Sequence, residues 1–290
     1  MDPTTAMYIS QGIHGIAYGM ILFLIASGLN IIFGMMGILN LAHASFFMLS
    51  GYFCHQVLVF TGNFWIALIV APLFTAFFGI LLERVCLSRI SAFGHLGELI
   101  LTVGVAQVIL ALVKIFWGTE NIPISVPPVF AGMVSIGGLV YPVYRLFVIG
   151  MALVVLAFML LLLYKTRVGK IVRAAVSDRD MVNALGINIP LVFMVIFGVG
   201  TWLAGVAGVA IAPILTVFPG LADQVGMDAF IVVVTGGFGS LTGAFIVSII
   251  FGLLSSFGVQ FFSQLAPVLI VGFMAVVLII RPNGLFGVEE

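Results

Sequence analysis

The sequence predicts an all-α, polytopic integral membrane protein of about eight transmembrane helices, and three observations carry that prediction. Of 290 residues, 63% are hydrophobic and only 7% charged, with a mean hydropathy of +1.36, a composition that excludes a soluble domain. The apolar residues gather in eight runs, most of them near the roughly 20 residues that a spanning helix needs. The few charges concentrate between runs, and half of the ten Lys and Arg fall between Lys165 and Arg179. Backbone groups in lipid must find partners within their own segment, so such runs form helices and not open sheets. A formal net charge of zero argues against nucleic-acid binding and against a polybasic lipid-binding tail. Residues 1–290 read as a single transmembrane domain, with 165–187 a cytoplasmic segment inside it.

Taken in order, the runs cover about 8–33, 36–60, 64–82, 96–117, 144–164, 190–217, 228–260 and 265–280. Lys and Arg near span ends favour the cytoplasmic side, which orients the set. Arg84 and Arg89 follow the third run and the Lys165–Arg179 cluster follows the fifth, so both loops belong inside with two spans between them. The stretch from Gly118 to Pro142 is rich in proline, carries no Lys or Arg, and reads as an external loop. Arg281 closes the last run and puts the carboxyl end inside, whereas no basic residue precedes Arg84, which puts the amino end outside. The opening MDPTTAMYISQGIHG lacks a basic n-region and does not read as a cleaved signal peptide. Cys54 and Cys86 lie in or near apolar runs without metal-ligand spacing and identify no redox compartment.

Two runs are irregular. The run 228–260 is too long for one ordinary span and is interrupted by Gly236, Gly237, Gly239 and Gly243. With the Pro219 loop outside and Arg281 inside, it must fold back once. Its first limb, Ala229–Val234, is too short to cross alone, so a broken helix or re-entrant hairpin is expected there, covered by protein or water. Near the amino end, Gly28, Asn30, Gly34, Gly37, Asn40 and His43 punctuate a second apolar stretch. The two places share a loose text, Asn40-Leu41 with Ala44 against Ser240-Leu241 with Ala244. Paired Gly-interrupted segments point to a transport pathway built on internal repeats.

Polar groups in these segments are the candidates for function, because each is expensive in lipid unless paired or wetted. Asn30, Asn40, His43 and Ser45 form one group, Gln107 and Lys114 another, and Thr235, Gly236, Gly237 and Ser240, with Thr242, a third. Singly, Asn40 reads as a helix cap after Gly37 and His43 as a hydrogen-bonded packing residue. Clustered at a glycine break, they read as a water-lined path or as a structural break beside one. Lys114, near Trp117, reads as snorkelling to the interface. Asp223 and Asp228 flank Gly226 after the Pro219 turn and read as a solvated loop, with Asp228 an N-cap before AFIVVV.

No residues show the spacing of a nucleophile elbow, a metal site or a P-loop; Gly169-Lys170 is followed by Ile171 without the upstream glycines. His43 and Ser45, at i and i+2, do not share a helix face and so make a poor catalytic pair. The chain therefore reads as non-enzymatic, with no cofactor and no metal of its own, any energy entering through another subunit.

Between Lys165 and Asp180, seven charges occupy sixteen residues, which bars the segment from the bilayer core. A short helix is expected from about Ile171 to Leu185, with Val172, Val176, Val182 and Leu185 on one apolar stripe and Arg173, Asp178 and Asp180 elsewhere. Gly186 ends it in the C′ position, and Asn188 caps the next span with Pro190 in its first turn. A plain positive-inside loop accounts for the charge. A docked helix accounts also for the small residues Ala174, Ala175 and Ala184 and for the Gly186 stop.

Three stretches, RAAVSDRDMVNALGINIPLVF, SGLNIIFGMMGILNLAHASFFMLSGY and VVTGGFGSLTGAFIVSIIFGLL, resemble the permeases of bacterial ABC importers for branched-chain amino acids. The likeness covers nearly the whole chain. It implies one of two related permease subunits that pair around the translocation path in the inner membrane. It also implies two cytoplasmic ATPase subunits, which bind ATP and Mg, and an extracytoplasmic binding protein that delivers the substrate. Arg173, Ala174, Ala175, Asp178, Ala184, Leu185 and Gly186 match the family's coupling element, whose small residues fit a cleft of the ATPase. The same architecture also imports urea, short amides and aromatic acids. A self-sufficient channel or secondary transporter is the reading from another class, and it calls for a mid-membrane acidic coupling site.

Overall fold

Leu22, Phe23, Leu24, Ile25 and Ala26 are consecutive and apolar, so a helix through them has no face to offer water. In the computed structural model, which describes residues 2–90, 93–136, 139–177 and 179–287, all five are fully buried. They lie in α1 (Pro3–Met36), the central helix of the molecule. At 1.5 Å per residue, α1 is about 51 Å long and outreaches a hydrocarbon core of roughly 30 Å. Around it pack α9 (Ile189–Ile211), α10 (Leu221–Gly236) and α11 (Leu241–Phe262), with α6 (Val143–Lys165) alongside. The crossing with α11 is close because the contact residues are small: a Cβ on Gly252 would lie 2.1 Å from the Gly15 carbonyl oxygen. Small residues at helix crossings give membrane helices the packing that burial from water cannot supply.

A second layer is formed by α2 (His43–Thr61) and α3 (Phe64–Leu82), both packed on α9. Asn63 caps α3, its Oδ1 accepting from Trp65 N at 2.9 Å. The helix then continues through a π-helical stretch, Glu83–Leu87, into the short α4 (Ser88–Ile90). Next, α5 (Gly94–Trp117) leads to the loop predicted to be external, which ends in a hairpin of β1 (Met133–Ile136) and β2 (Leu139–Pro142). Ile122 of that loop pairs with Val217, joining it to the 212–220 connection. After α6 come α7 (Arg167–Ser177) and α8 (Arg179–Ala184), and α12 (Ala266–Ile280) closes the chain. The outer faces of α5 and α12 are apolar; Ile115 and Ile279 are 74% and 81% exposed, as a lipid-facing surface requires.

The structure is an all-α polytopic membrane protein. Seven helices are long and apolar enough to cross a bilayer, and α12, with 15 residues, is apolar but shorter. Four expectations change in detail. The run 228–260 does fold back, at Gly237–Gly239, but its first limb is no short stub: α10 begins at Leu221 and has 16 residues. Asp228 is accordingly not an N-cap but lies inside α10, where it accepts the Tyr18 hydroxyl at 2.5 Å. Near the amino end, α1 runs unbroken through Gly28 and Gly34, and only 37–42 leaves the helix. The helical segment expected on the cytoplasmic side covers Arg167–Ser177 and Arg179–Ala184 among the described residues, starting at Arg167 rather than Ile171, and Leu185 is 71% exposed and off the apolar stripe.

Candidate functional site

A cleft of about 370 Å³ opens between α1, the start of α2, α5 and α10. Its polar wall is the 40–45 segment. Asn40 shapes the turn into α2: its carbonyl accepts from His43 N and its Oδ1 from Ala42 N, both at 3.1 Å. The Asn40 Nδ2 is buried without a partner. The His43 ring lies against Gly28, and its Nε2 donates to the Ile25 carbonyl at 3.1 Å. A carbonyl only accepts, so Nε2 holds the proton, and Nδ1 is left buried and unpartnered. Ser45 lines the same cleft and is buried. The opposite wall comes from α10, with Ala222, Asp223, Gly226, Met227 and Phe230. Gly226 permits the approach, since a Cβ there would stand 2.5 Å from the Cβ of Ala44.

The other predicted path residues do not line this cleft; they surround the α10–α11 turn. Asn30 holds that turn from α1: its Nδ2 donates to the Ser240 carbonyl at 3.0 Å, and its Oδ1 accepts from Gly239 N at 3.1 Å. Ser240 caps α11 by accepting from Gly243 N at 3.1 Å. Gly237 ends α10 with φ +98°, a conformation that side-chain-bearing residues rarely adopt. The freed carbonyls of Thr235 and Gly236 accept from Leu285 N and Phe286 N at 2.9 and 3.1 Å, so the chain's tail seals the helix end. The Thr235 hydroxyl is buried and unpartnered. The structure thus divides the predicted residues into a cleft (Asn40, His43, Ser45) and a turn (Asn30, Thr235, Gly236, Gly237, Ser240).

The α7–α8 segment is a second candidate surface. Thr166 starts it, accepting from Gly169 N at 3.1 Å. The Arg173 guanidinium donates to the Leu163 carbonyl and lies 5.2 Å from the Tyr164 ring centroid, fastening α7 to the end of α6. Ala175, Val182 and Ile189 form a small apolar cluster that reaches Phe193 of α9. Ala174, Ala184, Leu185 and Gly186 face outward. Gly186, at φ +81°, completes the stop: its N donates to Asn183 O at 2.9 Å and Ile187 N to Val182 O at 3.3 Å, the Schellman pair. Asn188 caps α9 as predicted, accepting from Leu191 N at 3.1 Å. Asp178 lies outside the described residues.

Sequence reasoning missed the α10 wall. The signal was there: Asp223, Met227 and Phe230 recur at i, i+4 and i+7, one helix face. Asp223, Gln224 and Asp228 broke the apolar run and hid the helix. Arg145 was also passed over; it donates to His14 Nδ1 and joins α6 to α1 beside Tyr141.

A family model described as "Branched-chain amino acid transport system / permease component" matches residues 13–281. The chain is 28% identical to the high-affinity branched-chain amino acid transport system permease protein BraD of Pseudomonas aeruginosa, over 99% of this chain and 98% of that one. It is 26% identical to the LivH permease protein of the corresponding system of Escherichia coli K12, over 98% and 96%. Among solved structures, PsaBC from Streptococcus pneumoniae in complex with Fab shares the fold at a TM-score of 0.50 and 13% identity, over 92% of this chain and 89% of that one. With a bundle of apolar helices, an internal polar cleft and a match along almost its whole length, this chain belongs to the branched-chain amino acid transport system permease family.

Proposed function

We propose that this chain is the non-catalytic permease subunit of an ATP-driven importer, forming half of the translocation path for branched-chain or other hydrophobic amino acids. The path runs between this chain and a second, related permease. Two cytoplasmic ATPases dock on α7–α8 and bring ATP and Mg, and an extracytoplasmic binding protein delivers the substrate at the opposite face. The complex resides in the bacterial inner membrane.

One observation carries the reading: α7–α8 is built as a lever. Its outward face offers small residues, Ala174, Ala184 and Gly186, where a partner can approach closely. Its inward face ties Ala175 and Val182 to Ile189 and Phe193, and Phe193 also packs on the main core. Force applied to the exposed face therefore reaches the span that packs on α1, α2 and α3. The names of the full-length relatives support the substrate class.

The test is to tag the chain, extract it from its native membrane, identify what copurifies, and reconstitute the complex. Stoichiometric ATPases and a second permease, with leucine uptake that requires ATP, are expected. A lone homo-oligomer that transports without ATP would overturn the proposal.

A further inference from the structure

We propose that Asp223 is the group that receives the ammonium of the transported zwitterion, making the cleft a transit site for amino acids; this rests on the proposed substrate class. Asp223 lies on the α10 wall, and the cleft it lines is bounded by Ile25 and Leu29 of α1 and by Ala106, near the middle of α5. Asp223 is exposed and lies in the first turn of α10, so a solute in the cleft can reach its carboxylate. Its neighbour Asp228 has a structural reason to be there, the Tyr18 hydroxyl. Asp223 suits the N-terminus of α10 but has no cationic partner: the one ion pair among the described residues is His95 with Glu98, and no Lys or Arg lines the cleft.

The remaining walls complete the recognition of an aliphatic amino acid. Ile25, Leu29, Ala106, Met227 and Phe230 supply apolar surface for the side chain. Asn40 and His43 border the cleft at 1% and 2% exposure, and each has one unpartnered nitrogen, Nδ2 and Nδ1, buried behind its surface. The Asn40 Nδ2 is a donor and suits a carboxylate. A carboxylate, an amide donor and an apolar wall are the three complements of a neutral α-amino acid. A pocket of about 370 Å³ is of ligand size. In this cleft a single acidic group sets the requirement for an amine.

The whole complex, with its second permease, ATPases and binding protein, is reconstituted in proteoliposomes and assayed with radiolabelled leucine. Asp223→Asn is expected to lower the maximal uptake rate about tenfold or more, the loss of one charge-assisted hydrogen bond, with KM unchanged because the binding protein sets it. Asp223→Glu is expected to retain most of the rate. Unchanged uptake in Asp223→Asn overturns the inference. So does loss of the second permease from the purified Asp223→Asn complex, which would make Asp223 an interface residue. The wild-type complex separates the two readings. If it carries leucine and Asp223→Asn does too, only the inference fails; if it carries no amine, the proposed substrate class fails and the inference with it.

Discussion

Asn30 uses both ends of its carboxamide on one turn, donating to Ser240 O and accepting from Gly239 N across a separation of about 210 positions. Asn30 is 1% exposed, whereas Ser240 is half-buried and Gly239 exposed, so the clamp reaches from the core to the surface of the turn. Asn30→Ala removes both hydrogen bonds to the turn and leaves its own buried site unfilled, and is expected to cost about 1–3 kcal/mol in all, at roughly 0.5–1.5 kcal/mol per bond. Ser240→Ala removes only the α11 cap and is expected to cost about 1 kcal/mol. Thermal unfolding of the detergent-purified protein checks the ranking; an Asn30→Ala protein as stable as wild type would remove the clamp from the account. Asn30 and Ser240 were both legible in the sequence, as polar residues beside glycine breaks. Their pairing was not, because nothing local marks two positions so far apart. His43 and Asn40 were legible for the same reason, whereas Asp223 was hidden by its own polarity, which makes a helix look like a loop in a hydropathy scan.

The α7–α8 element was visible from its charge and its Gly186 stop, and the cap at Asn188 followed from side-chain chemistry that is local. The division of its faces was legible at Val172 and Val182, which are buried, but not at Ala174 and Ala175, two identical side chains of which only the second faces inward. The structure makes that division testable at two adjacent residues. Ala174 is exposed and Ala175 is 1% exposed. Ala174→Trp leaves the fold unaffected and blocks a close partner, so it is expected to abolish ATP-driven uptake while the protein still inserts with wild-type stability. Ala175→Trp forces a large side chain into the cluster with Val182 and Ile189 and is expected to lower stability by about 1–3 kcal/mol. Expression level, melting temperature and uptake, measured on both variants, separate the effects. Normal uptake in Ala174→Trp would remove the docking role of this face.

At the scale of the whole molecule, contacts decide which segments share an end, and charge then decides which side that end faces. Gln11 bonds to Ser256 at one end of α1, and Gly34 meets Gly239 near the other, so α11 runs antiparallel to α1. The tail at Leu285 and Phe286 returns to Thr235 and Gly236, beside that second end. Val168 and Val172 of α7 share a small cavity with Ile31 and Met35, which puts the α7–α8 lever at the same end. Glu83, Ser88 and Pro190 meet Met36 there as well. Eight of the ten Lys and Arg, all but Lys114 and Arg145, belong to chain segments at this end. By the positive-inside rule this end is expected to be cytoplasmic, and the amino end and the β1–β2 hairpin external. In a Cys86→Ser background, with Cys54 buried, a membrane-impermeant maleimide is expected to label Glu120→Cys in intact spheroplasts and Ala184→Cys only after permeabilisation. The reverse pattern would turn the molecule over in the membrane and place α7–α8 where no cytoplasmic ATPase can reach it.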